Sequence, residues 1–251
     1  MLTESLRRIG VLVRHNVLVR LRDPGQMISY IVLPIILMTV FKPLYEKAVQ
    51  GANYQIISGP LVMFSIFTLA IVGNSILIER EWRTWDQLRV SRAHRAELLL
   101  GKTLPIMAIL ITQQLVVVLF GCALTGIPLP DTIGYVVPAI LIWGVMLLAI
   151  GAALATIVRS RGEMGMVSDL GTMMVSAFGG ALLPVSLMPS WARHVAPFSP
   201  GYWGVDMFQA ALRGQPAHLV RPALVCLAIA LVAGTFATYR LAHGFGRGRL
   251  M

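Results

Sequence analysis

The sequence predicts an all-α polytopic membrane protein with six transmembrane helices, and three observations carry that prediction. Its 251 residues are 57% hydrophobic and only 13% charged, with a mean hydropathy of +0.75, which is too apolar for a soluble domain of this size. Apolar stretches recur at the length needed to cross a bilayer, about 20 residues at 1.5 Å rise for a hydrocarbon core of roughly 30 Å. The basic residues lie in the short segments between those stretches, where the positive-inside rule places them. That placement explains the net charge of +10 without a nucleic-acid partner, and none is expected.

Residues 1–25 are expected to form a separate amphipathic helix lying in the cytoplasmic interface. Leu2, Leu6, Ile9, Val13 and Val17 recur at helical spacing, while Arg7, Arg8, Arg14, His15 and Arg22 project to the other side. Those arginines can reach anionic lipid headgroups. Arg20 falls on the apolar face and either snorkels or contacts protein. Asp23-Pro24-Gly25 ends the helix. With five arginines in this region and no uninterrupted apolar core, a cleavable signal is not expected, and the first span serves as the insertion signal.

Residues 26–251 are read as one six-span membrane domain. The first span covers 26–41, extending towards Tyr45, with Pro34 inside it as a kink whose freed carbonyl needs a partner. A short polar loop is expected at 42–55, then a second span at 56–78. After the charged stretch 79–102 come a third span at 103–125, a turn at 126–132 containing Pro128, Pro130 and Asp131, and a fourth span at 133–158. Arg159-Ser160-Arg161-Gly162-Glu163 forms a second charged turn, and 164–188 is the fifth span. Residues 189–215 alternate prolines with aromatics and suit short helices at the outer interface, where Trp and Tyr prefer to sit. The last span is 219–239, followed by a basic tail. Of the twenty-one Lys and Arg residues, sixteen fall on the side of the termini and five (Lys42, Lys47, Arg193, Arg213, Arg221) on the other. Both termini and the stretch 79–102 are therefore expected to be cytoplasmic. Cys122 and Cys226 lie within spans and read as small buried hydrophobes.

The stretch 79–102 is the longest densely charged run in the chain, with six basic and four acidic residues. Glu79 with Arg83 and Asp86 with Arg89 are spaced to pair on a helix, each pair contributing roughly 0.2–0.5 kcal/mol. Trp82, Trp85 and Leu88 share one stripe. The result is a short helix with a charged face and an aromatic face, suited to docking into a cleft of another protein or lying on the membrane. An ordinary solvated loop helix is the alternative.

The run Glu79-Arg80-Glu81-Trp82-Arg83-Thr84-Trp85-Asp86-Gln87-Leu88 resembles the E-R-E-x-G-T-x-E/D-x-L signature of type-2 ABC (ATP-binding cassette) export permeases, similar to the daunorubicin-type drug exporters and nodulation-type polysaccharide exporters. Glu97-Leu98-Leu99-Leu100-Gly101-Lys102 and the segment 182–200 (LLPVSLMPSWARHVAPFSP) continue the pattern. Two positions depart from it: Arg83 stands where the family has glycine, and Arg92 follows Ser91 where proline is common. The resemblance implies a transmembrane subunit of the prokaryotic cytoplasmic membrane, working with two copies of a separate ABC ATPase that binds ATP and Mg. It also implies a dimer, of two identical chains or of this chain with a related permease. It makes residues 79–88 a cytoplasmic coupling helix between spans two and three, and 189–215 a re-entrant outer segment. Pro184, Trp191, Pro197 and Trp203 are candidates for an outer gate. The chain carries no G-x-x-x-x-G-K-S/T loop, so it is expected neither to be an enzyme nor to bind a cofactor or metal.

Ionisable residues inside spans are functional candidates by default. Asp169, near the cytoplasmic end of the fifth span, neighbours a polar stripe of Ser168, Thr172 and Ser176. With Phe178 these residues are candidates for a translocation path, the other reading of Asp169 being an interfacial pair with Arg159 or Arg161. Gly171, Gly179, Gly180 and Ala181 are expected to permit close packing at a subunit interface. A methionine-rich interior suits a hydrophobic or amphipathic solute such as a drug, a lipid or a glycan carrier. The rival classes are an ion-coupled secondary transporter, which needs a deeper carboxylate than Asp169, and a membrane enzyme, for which no zinc or nucleophile motif is found.

Overall fold

The computed structural model describes residues 25–48, 52–81 and 95–242, and all regular structure among them is helical. In chain order the helices are α1 (Gly25–Ala48), α2 (Ala52–Ile66), α3 (Thr68–Glu81), α4 (Arg95–Thr125), α5 (Leu129–Ile157), α6 (Arg161–Phe178), α7 (Ser190–Val195), α8 (Pro200–Leu212) and α9 (Pro216–Ala242), with short 3₁₀ turns at Val185–Leu187 and Ala196–Phe198. By length and hydropathy, five segments among the described residues can cross a membrane: Ile28–Lys47, Ala52–Ile78, Thr103–Thr125, Ile133–Ile157 and Pro216–Arg240. The fifth predicted span, 164–188, does not run its length as a helix. It stops at Phe178, and α6 does not reach the hydropathy of the other five.

α2 is the centre of the bundle, since twelve of its fifteen residues are buried. It meets α1, α4, α6 and α8, while α9 lies along α5 in the most extensive packing of the fold. The second span is broken at Phe67, where Ala70 N–H bonds the Phe67 carbonyl at 3.2 Å, so α2 and α3 are two helices in one crossing. Phe67 stacks on Tyr30 of α1, ring centres 6.0 Å apart.

Lipid tails are as apolar as leucine, so packing and internal hydrogen bonds hold such a bundle together rather than exclusion from water. Trp143 of α5 shows both. It is fully buried, its indole N–H donates to Ser65 Oγ at 2.7 Å, and its ring meets Phe208 edge to face at 6.3 Å. Gly204 of α8 makes room for that ring, because a Cβ there would come within 2.5 Å of it.

Polar bonds fix which ends meet. Lys42 Nζ donates to the Leu124 carbonyl at 2.8 Å and Asn53 Nδ2 to that of Thr125 at 3.3 Å. These bonds satisfy the last carbonyls of α4 and gather α1, α2 and α4 at the end marked by the Gly126 turn. At the opposite end, marked by Arg159, Arg240 Nη2 of α9 donates to the Thr156 carbonyl of α5 at 3.3 Å.

Candidate functional site

Three separate stretches of chain build a polar pocket at the Gly126 end. α2 supplies Gln55, the turn after α6 supplies Gly179, Gly180, Pro184, Val185 and Ser186, and α8 supplies Tyr202, Val205, Asp206, Gln209 and Arg213, the last as its C-cap. They enclose about 250 Å³.

The turn exists because α6 is stopped by a glycine pair. Gly179 caps the helix, Gly180 takes φ +81°, and Ala181 and Leu182 donate back to the Ser176 carbonyl at 3.0 and 3.1 Å. Such a left-handed residue with returning amides is the usual way a helix ends at glycine. Behind the turn, Gly59 of α2 lies so close to the Ala181 carbonyl that no Cβ would fit between them.

A relay of amides forms the pocket floor. Gln55 Nε2 donates to the Gly180 carbonyl at 2.7 Å, Gln209 Nε2 donates to Gln55 Oε1 at 2.7 Å, and Arg213 Nη2 donates to Gln209 Oε1 at 3.2 Å. The Arg213 guanidinium also lies over the Tyr54 ring, 5.0 Å from its centre. Asp206 lines the pocket and is exposed, and no hydrogen bond or ion pair joins its carboxylate to another described residue. The protein packed around it withdraws enough water to push the carboxyl above its ordinary value, and the charges of Arg213, His218 and Arg221 pull it part of the way back. Among the described residues no group of three His, Cys, Asp or Glu side chains could hold a metal ion.

The four candidate path residues do not share a face. Thr172 and Ser176 are buried with Met164 and Ser168 on the inner side of α6, and Thr172 Oγ1 donates to the Ser168 carbonyl at 2.6 Å. Asp169 is on the opposite, exposed face with Met166, Leu170, Met173 and Met174. Phe178 sits at the end of the helix, edge to face with Trp191 at 6.2 Å. Of the candidate gate residues, Pro184 lines the pocket, while the Pro197 carbonyl accepts the Trp203 indole N–H at 2.8 Å. Trp203 also lies under Arg221, 5.3 Å from guanidinium to ring centre.

A helical bundle with this order of spans invites comparison with known membrane proteins. The sequence model of the family described as ABC-2 type transporter matches residues 7–212. The chain belongs to that family. ABC-2 proteins are membrane subunits of ABC transporters and work with ABC ATPases. Among known ABC-2 relatives, the inner membrane transport permease YhhJ of Escherichia coli K12 is 24% identical over 203 residues, 80% of this chain and 53% of that protein. The probable multidrug ABC transporter permease YbhR of the same strain is 23% identical over 136 residues, 54% of this chain and 37% of that protein. The chain thus spans about half the length, or less, of these curated relatives.

In this ABC-2 protein the signature stretch straddles the limits of the described residues. Glu79, Arg80 and Glu81 form the last turn of α3, whereas Trp82, Arg83, Thr84, Trp85, Asp86, Gln87 and Leu88 lie outside the described residues, as do Arg7, Arg8 and Arg14. The glycines expected at a subunit interface divide. Gly179, Gly180 and Ala181 are buried within the chain's own turn, and only Gly171 faces open space. Sequence reasoning missed Gln55, Asp206 and Gln209. The one signal available was an acid in an otherwise apolar and aromatic segment, at Asp206.

Proposed function

We propose that this chain is the transmembrane subunit of an ATP-driven exporter of the ABC type, forming a translocation path for a hydrophobic or amphipathic solute. The match of the ABC-2 family across residues 7–212 carries this reading. Two copies of a separate ATPase, holding ATP and Mg, supply the energy. Two membrane chains face one another around the path. Both termini and the 79–102 stretch lie on the cytoplasmic side of a prokaryotic inner membrane, as the distribution of Lys and Arg favours.

The coupling segment lies between the last turn of α3 and the start of α4. A push on residues 79–88 therefore acts on two helices at once. α3 packs against α5 and α6, and α4 packs against α1 and α2, so the push reaches both α6 and the α2 centre of the bundle. The exposed face of α6, with Asp169 among Met166, Leu170 and Met173, is assigned to the path between the two copies. Flexible thioethers around one carboxylate suit solutes of varied shape.

The test is reconstitution with the cognate ATPase. The chain alone shows no ATP hydrolysis, and together the two drive ATP-dependent transport into inside-out vesicles. Glu81→Ala leaves ATP hydrolysis and membrane insertion in place and lowers transport per ATP about tenfold or more, the loss expected for a charge-assisted contact. Transport driven by a proton gradient without the ATPase, or an unchanged Glu81→Ala variant, refutes the reading.

A further inference from the structure

The pocket at the Gly126 end holds charges of both signs with nothing bonded between them. Asp206 presents a carboxylate without a hydrogen-bond partner among the described residues, and the Tyr202 hydroxyl likewise has none. Arg213 also lines the pocket, with one of its five N–H donors committed to Gln209. His218 and Arg221 are close enough for their charges to act on Asp206. A simple cation would meet the Arg213 guanidinium there, and a simple anion would meet the carboxylate. The occupant that satisfies both carries a positive and a negative group a short distance apart.

Size narrows the choice. At about 250 Å³ the space lies below the roughly 300 Å³ at which pockets for drug-sized ligands begin. It holds a headgroup and leaves any acyl chains outside. Position narrows it further, because neighbouring aromatic residues Tyr202 and Trp203 are the kind that sit at headgroup level. The Asp206 carboxylate has its acceptor capacity unused, and a positive group that donates hydrogen bonds fills it. A primary ammonium does so and a quaternary one does not.

We infer that this pocket binds an ammonium–phosphate zwitterion of the ethanolamine type, its ammonium on Asp206 and its phosphate on Arg213 and Tyr202. The sources of that chemistry are the headgroup of a membrane phosphatidylethanolamine and a free phosphoethanolamine-bearing solute. The site belongs to the single chain and requires neither an ATPase nor transport, so it stands or falls apart from the exporter reading.

The experiment measures lipid retention by the purified full chain in detergent, using native mass spectrometry after exchange into phosphatidylethanolamine, phosphatidylcholine or phosphatidylglycerol. A parallel arm measures thermal stabilisation of delipidated protein by soluble glycerophosphoethanolamine. Phosphatidylethanolamine is expected to be retained about tenfold better than either other lipid, and Asp206→Asn and Arg213→Gln each to remove that preference, as loss of a charge-assisted hydrogen bond dictates. Asp206→Glu, which keeps the carboxylate, retains the preference and separates binding from misfolding. Stabilisation by glycerophosphoethanolamine with no lipid preference assigns the same site to a soluble source. Equal retention of all three lipids with no soluble stabilisation overturns the inference, and so does an Asp206→Asn variant that binds like the parent.

Discussion

Trp143 and Asp206 show how single residues set what this fold tolerates. The Trp143 ring is fully buried against Gly204 and Phe208, and its one polar atom is bonded to Ser65. Two effects compete in ranking its neighbours. Adding a methyl in a packed site costs about 1–3 kcal/mol, whereas side-chain hydrogen bonds within membrane bundles average about 0.6 kcal/mol. Gly204→Ala should therefore lower the apparent melting temperature in detergent more than Ser65→Ala does, and the reverse order would contradict the packing described. For Asp206 the argument runs through protons. Partial loss of water to the protein packed around it raises its carboxyl above the ordinary value of 3.8 despite Arg213, His218 and Arg221, so the folded chain holds this proton more tightly than the unfolded one. The resulting stability is fully present below pH 3.8 and is lost as pH rises through the higher folded value. Asp206→Asn should match the parent at the acid end and gain on it as pH rises, which melting curves of delipidated protein taken across that range will show.

At the scale of the element, both ends of α6 are specified by local chemistry. Ser160 Oγ accepts the Glu163 amide at 3.1 Å while the Glu163 carboxylate accepts the Arg159 amide at 2.7 Å, a reciprocal cap that starts the helix. Ser160→Ala should cost about 1 kcal/mol and show as faster hydrogen exchange confined to the first turn of α6. Exchange unchanged there would mean that packing alone holds the start. The other end shows why part of the fold was hidden in the sequence. Apolar residues continue through Leu182 and Leu183 past the glycine pair, so a hydropathy reading carries the span to 188 while the backbone turns back at Gly180. The break at Phe67 has no Gly or Pro beside it to announce it. The stop of α5 was legible, expected at 158 and found at Ile157, whereas its start at Leu129 falls inside the expected 126–132 turn, because Pro128 and Pro130, read as turn residues, open the helix instead. The pocket was not legible, because Gln55 and Gln209 lie 154 residues apart and meet only through the tertiary fold.

The whole molecule turns on parity. Among the described residues five segments are apolar enough to cross a membrane by themselves, and an odd number would put the chain ends on opposite sides. The packing argues for an even number. α6 starts from the Arg159 turn, beside the end of α9, and leads into Gly180, bonded to Gln55 two residues from Asn53, which caps α4 at the Gly126 end. It therefore travels the height of the bundle, and its 18 residues rise about 27 Å, close to the roughly 30 Å of a hydrocarbon core. Its low hydropathy has a structural reason, since Ser168, Thr172 and Ser176 are turned inward against the chain and never meet lipid. We propose that α6 is the sixth crossing, which would put both ends of the chain and the 79–102 stretch on one side, the side to which most of the Lys and Arg are assigned. Single cysteines introduced as Ser5→Cys, Gly214→Cys and Gly248→Cys, in a background where the buried Cys122 and Cys226 are replaced by Ala, test this directly with an impermeant maleimide. Gly214→Cys should label in intact cells, and the two terminal positions only after the membrane is opened. Labelling of Ser5→Cys and Gly248→Cys from opposite sides would instead make α6 a helix that packs within the bundle without crossing, and the path face assigned to it would have to move to another element.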